Sequence, residues 1–91
     1  MHIVNGFMIR QVAGERVAVP VGEAVRKFSG MISLNDSAAF LLQLLQTEQT
    51  TETLLDAVLK EFEISKDDAR KDISEFLSVM DTLGLLVDGT V

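Results

Sequence analysis

Three groups of residues have the types and spacing for chemistry. Asp36-Ser37 opens an apolar, helix-like run, where a hydroxyl beside a carboxylate offers an attachment point for a covalently carried group. His2 is the only histidine, a candidate metal ligand or general base. Asp67, Asp68 and Asp72 form an acidic cluster, and helical spacing puts Asp68 and Asp72 on one face, a candidate for a divalent cation. Each also has a plainer explanation. Polar residues at positions 35–37 are what the first turn of a helix needs for capping. His2 has no positioned partner in its own neighbourhood and reads as an exposed residue on a frayed terminus. The acidic cluster lacks the glycine and the terminal glutamate of a calcium loop, and carboxylates at a helix start complement the positive end of its dipole.

The elements that must position these groups follow from periodicity. Residues 6–12 and 15–20 are rich in Val, Ile and Phe, and Ala13-Gly14 between them suits a tight hairpin turn. Pro20 removes a backbone donor and so belongs at a strand end or edge. An irregular passage over residues 22–30 then leads into a third strand at 31–34. Three helices follow. The first spans about 36–46, with Asn35 as N-cap and Phe40, Leu41, Leu44 and Leu45 on its buried face, widened by Ala38, Ala39 and Leu42. The second spans 51–61, with Thr50 as N-cap and a stripe of Leu54, Leu55, Val58, Leu59 and Phe62. The third spans 66–83, with Ser65 leading a capping-box-like Ser-Lys-Asp-Asp run, a core stripe of Ala69, Ile73, Phe76, Leu77, Met80 and Leu83, and Gly84 as the stop. A short terminal strand is expected at 85–87. The order predicts one α+β domain over residues 1–91, winged-helix-like, with a three-stranded antiparallel sheet packed on a tri-helical bundle. A phosphopantetheine carrier, which is purely helical, does not fit three strand-like segments ahead of Ser37.

Composition narrows the function classes. The chain has 91 residues, 47% hydrophobic and 24% charged, which describes a globular domain too small for a large enclosed cavity. With no cysteine there is no disulfide, thiolate metal site or thiol nucleophile. No apolar run approaches a membrane span and no signal peptide is evident, so the expected compartment is the cytoplasm. The net charge is −6, unevenly placed: residues 1–34 hold four basic and two acidic side chains, whereas residues 35–91 hold four basic and twelve acidic ones. The third helix, which would be the recognition helix of a winged-helix DNA binder, sets Lys66, Arg70 and Lys71 against five carboxylates. Phosphates would repel it, so nucleic acid and anionic membranes are not expected partners. Val79 stands off the core stripe, in line with Asp72 and Glu75, on a face able to border a shallow peptide groove.

The pattern Phe7-x-x-Arg10, Gly14-Glu15-x-Val17, Phe28-x-Gly30-Met31-Ile32-x-Leu34-Asn35-x-x-Ala38-x-Phe40-Leu41, Leu44-Leu45, Asp72-Ile73-x-x-Phe76-Leu77 and Leu83-Gly84-Leu85-Leu86 resembles the PqqD family, named for pyrroloquinoline quinone (PQQ) synthesis protein D. The match runs over about residues 6–88. The resemblance implies a recognition element for ribosomally synthesised, post-translationally modified peptides (RiPPs): no enzyme activity, no cofactor, and a cleft that holds a precursor's leader segment. It further implies a modifying enzyme as second partner, such as a radical SAM protein, in a RiPP or PQQ-like pathway. The leader would add as a strand beside Met31, Ile32 and Ser33 and face Asp68, Lys71, Asp72, Glu75 and Val79 of the third helix. Those carboxylates imply a leader with apolar anchors and at least one Lys or Arg. An open strand edge suits either a monomer or a weak homodimer. The alternative is a winged-helix regulatory or protein-interaction domain.

Overall fold

In the computed structural model, which describes residues 1–4, 6–22, 24–27 and 30–87, the order is β1 (His2–Ile3), β2 (Phe7–Val12), β3 (Glu15–Pro20), α1 (Ala24–Lys27), β4 (Ile32–Leu34), α2 (Asp36–Leu44), α3 (Thr51–Glu61), α4 (Lys66–Thr82) and β5 (Leu86–Val87). The expected α+β, winged-helix-like arrangement is present. Strands β2, β3 and β4 form an antiparallel sheet in that order, against the bundle of α2, α3 and α4. Two elements go beyond the sequence reading. A single helical turn, α1, stands in the passage expected to be irregular, and β1 pairs with β5 in a separate two-stranded ribbon. Phe28 and Ser29 of the sequence pattern lie outside the described residues. Among the described residues no helix is long and apolar enough to cross a membrane.

Cross-strand register decides which side of the sheet meets the helices. Arg16 lies opposite Leu34 and Ala18 opposite Ile32, and directly opposed residues share a face. Ala18 is fully buried and Leu34 nearly so, which puts that face on the core. Leu41 and Leu42 of α2 with its C-cap Leu45, Leu54 and Val58 of α3, and Ala69, Ile73, Phe76 and Met80 of α4 complete it. Full burial of such a side chain stabilises by about 1.5–3 kcal/mol, so these residues supply most of the folding drive. Phe40 and Leu44, expected inside, are only half-buried, and Leu83 is exposed. Phe40 instead meets Phe62 edge-on at the rim, with ring centroids 5.4 Å apart.

Helix ends follow from capping. Asn35 Oδ1 accepts the Ala38 amide at 2.8 Å, Thr50 and Thr53 form a reciprocal capping box, and the Ser65 hydroxyl accepts the Asp68 amide at 3.1 Å. Helix α2 ends two residues short of expectation because Leu45 is already its C-cap. At the end of α4, Gly84 takes a positive φ of 75° while its amide donates to the Asp81 carbonyl and the Leu85 amide to the Met80 carbonyl. This is a Schellman close, and it turns Leu85 into the core, where it is fully buried.

The expectation of a frayed His2 is wrong. Ile3 is fully buried, its amide donates to the Leu45 carbonyl at 2.8 Å, and β1 is held by residues more than eighty positions away, a pairing no local window reveals. The His2 imidazole Nδ1 lies 2.8 Å from Glu48 Oε1, and the N-terminal ammonium bonds to the same carboxylate.

Two outcomes follow. Both hairpin-turn residues have positive φ, 53° at Ala13 and 82° at Gly14, a type I′ turn in which alanine is strained. Ala13→Asn should raise stability by about 0.5–1 kcal/mol in urea unfolding. The hydrogen bonds from the N-terminal ammonium and His2 hold the Glu48 carboxyl below the ordinary glutamate range. A carboxyl group depressed in the folded state stabilises above its unfolded pKa, and that contribution is lost as pH falls through the folded value. Glu48→Gln should therefore flatten the acid limb of a stability–pH curve below about pH 4.5.

Candidate functional site

Strand β4 pairs with β3 on one side and with no strand on the other among the described residues, and none of its three residues joins the other backbone hydrogen bonds described there. An edge of this kind offers unpaired N–H and C=O groups to another chain. Beside it lies an open groove lined by Ile32, Ser33 and Leu34, by Asn35, Ser37, Ala38 and Leu41 from the start of α2, and by Asp72, Glu75, Phe76, Val79 and Met80 of α4. Its volume of about 220 Å³ falls below the range of about 300–1,000 Å³ usual for small-molecule sites. Such a space suits one or two side chains of an extended peptide.

The walls have different origins. The α4 residues recur at i, i+3, i+4, i+7 and i+8 from Asp72, one helical stripe. Phe76 and Met80 belong also to the core stripe, so core packing fixes the rotation of the helix that aims Asp72, Glu75 and Val79 at the groove. Asp72 is half-buried and Glu75 exposed, while Val79 stays 52% exposed, large for an apolar side chain with nothing packed over it. The opposite wall turns on the strand-to-helix junction. There the Ser37 hydroxyl donates to Asn35 Oδ1 at 3.1 Å, the oxygen that also caps Ala38. Asp36 points away, where its carboxylate lies 3.4 Å from an Arg16 guanidinium nitrogen; both side chains are exposed, so the pair contributes little.

The groove brings together five of the residues singled out in the sequence: Ile32, Ser33, Asp72, Glu75 and Val79. Met31 precedes β4 and is 63% exposed, and Asp68 and Lys71 are exposed on α4 nearer its N-terminus; none of the three lines the groove. Ser37, considered above as an attachment point, also lines it, and Leu34, Asn35, Ala38, Leu41, Phe76 and Met80 line it without having been marked as site residues. Their sequence signal was that of core and cap, and a core residue whose one side faces a groove has no pattern of its own. Among the described residues no group of three or more His, Asp or Glu is placed to hold a metal ion.

An edge strand facing a helix across a narrow groove, on a β-β-β-α-α-α frame, defines a small winged-helix-like fold with one open strand edge on the groove. Residues 10–86 match the family described as coenzyme PQQ synthesis protein D (PqqD), and the chain belongs to that family. Its fold is similar to that of a solved structure described as TbiB1 in complex with the TbiA(beta) leader peptide, with a TM-score of 0.70 over 100% of this chain and 99% of the other at 19% identity. No curated protein matches the sequence.

Because one side-chain oxygen accepts both the Ala38 amide that caps α2 and the Ser37 hydroxyl on the groove wall, Asn35→Ala should cost about 1 kcal/mol in urea unfolding, and Asn35→Asp should restore most of it.

Proposed function

We propose that the chain is a non-enzymatic module that binds the leader segment of a ribosomally made precursor peptide and presents it to a modifying enzyme in a RiPP or PQQ-like pathway. The observation that carries this reading is the position of β4, an edge strand whose unpaired side opens on a groove walled by α4. Membership of the PqqD family supports it, and so does a fold neighbour whose complex contains a leader peptide.

In this reading the leader adds as a fourth strand beside Ile32, Ser33 and Leu34, with Met31 extending the register. Main-chain hydrogen bonds hold its backbone and alternate side chains enter the groove. Each such bond contributes only about 0.5–1.5 kcal/mol net, so a strand of three residues cannot bind tightly through backbone alone. Side chains packed on Ile32, Leu41, Phe76 and Val79 must supply the rest. Asp68 and Lys71 act on flanking residues of the leader, beyond the groove. A radical SAM protein is a fitting recipient, because strand addition leaves the part of the precursor outside the leader free to enter a second protein. Without a leader the protein is a monomer or a weak homodimer through the same edge.

The test is an amide-shift titration with the precursor peptide encoded beside this gene. Shifts should centre on residues 32–34 and on 72–80 of α4, and shifts confined elsewhere would reject the site. Val79→Ser should weaken binding about threefold to tenfold with an unchanged thermal midpoint, because the side chain is half-exposed in the free protein.

A further inference from the structure

From the order of groups along α4 we infer a recognition rule: the groove selects extended peptides that carry a Lys or Arg and a bulky apolar residue two positions apart. This rests on strand addition at β4, as proposed above, and specifies which strands are accepted.

The groove face of α4 is polar at one end and apolar at the other. Asp72 and Glu75 come first, and Val79 and Met80 follow one turn later. At a rise of about 1.5 Å per residue, Asp72 and Glu75 are about 4.5 Å apart along the axis, close enough for one cation to lie between both carboxylates. Glu75 and Val79 are about 6 Å apart on the same measure. In an extended peptide, side chains at i and i+2 point the same way and lie roughly 6.6–6.8 Å apart. An added strand running along α4 would therefore set one residue of such a pair at Glu75, from which a long Lys or Arg side chain reaches on toward Asp72, and the other at Val79. The intervening residue faces away and is free to vary.

The charges around these two carboxylates permit this. Neither Asp72 nor Glu75 takes part in any ion pair among the described residues, and neither accepts a side-chain hydrogen bond there. Ser33, Asn35 and Ser37 on the facing wall are neutral, so no protein cation in the groove competes for them. An acidic peptide side chain at the same place would meet two like charges and be rejected, so selection operates by repulsion as well as attraction.

The test uses ten-residue synthetic strands of alternating Thr and Val, read by amide shifts in the whole chain. One peptide carries Lys-Thr-Leu at its centre and another Leu-Thr-Lys, since the direction of the added strand sets the order. Others replace Lys by Gln or Glu, or move Lys next to Leu so that the two point to opposite faces. One lysine order should bind about threefold to tenfold tighter than the Gln peptide, and its advantage should shrink as salt rises. The Glu peptide and the shifted peptide should bind more weakly than either. Changing both carboxylates, Asp72→Lys with Glu75→Lys, should reverse the preference so that the Glu peptide binds best, while E75Q alone, which leaves Asp72 in place, should shrink the Lys peptide's advantage over the Gln peptide. Equal affinities across the series, with shifts still centred on residues 32–34, would overturn the rule and leave strand addition standing. No shift at residues 32–34 with any peptide would overturn both.

Discussion

The junction between Leu34 and Ala38 is the constraint on which the rest of the site depends. Leu34 is drawn into the core and anchors the last residue of β4, while one residue later the Asn35 side chain caps the first turn of α2. The chain thus turns from a three-residue strand into a buried helix with no loop between them. A strand this short has little pairing energy of its own, and the burial of Leu34, the packing of Ile32 against the core and the helix start fixed by Asn35 help hold it in register beside β3. Had a flexible loop intervened, β4 would be free to slip or to fray. Its open edge would then pay the entropy of ordering at the moment of binding.

The second wall is fixed from the far end of the molecule. Helix α4 is held by its core stripe and closed by the Schellman turn at Gly84, which drives Leu85 inward and starts β5. Strand β5 pairs with β1, and β1 is tied through Ile3 to the end of α2. The helix that opens one wall of the groove and the helix that forms the other are therefore linked by a clasp outside the groove. The β2-β3-β4 sheet, whose β4 edge borders the groove, takes no part in that clasp. This division keeps β4 unpaired without loosening the walls on either side of it.

Much of this frame was legible from local pattern because local physics decides it. Strong caps at Asn35, Thr50 and Ser65 set the helix starts, the Ala13-Gly14 pair set the hairpin, and Gly84 set the last stop. The misses share a cause. His2 and Ile3 belong to a strand because of partners at Leu86 and Val87, and Phe40 sits at a rim because of Phe62. In each case the deciding contact lies far along the chain. The groove residues were legible in part for the same reason. Asp72, Glu75 and Val79 break the core stripe and so draw notice, whereas Ala38, Leu41, Phe76 and Met80 are indistinguishable from ordinary core.

What the sequence by itself determined is the list of elements, their caps and turns, the acidic character of α4 and the resemblance that points to the PqqD family. These depend on residue type and spacing over a few turns, where each side chain's propensity and its nearest neighbours are decisive. Only the tertiary structure decided that β4, of the two edge strands β2 and β4, is the one that borders the groove, that α4 stands across from it, and that Met31, Asp68 and Lys71 fall outside the groove while Ser37 and Met80 fall within. A groove is a relation between two surfaces, and its position depends on how α2, α4 and β3 pack together, a long-range outcome that no stretch of sequence encodes alone.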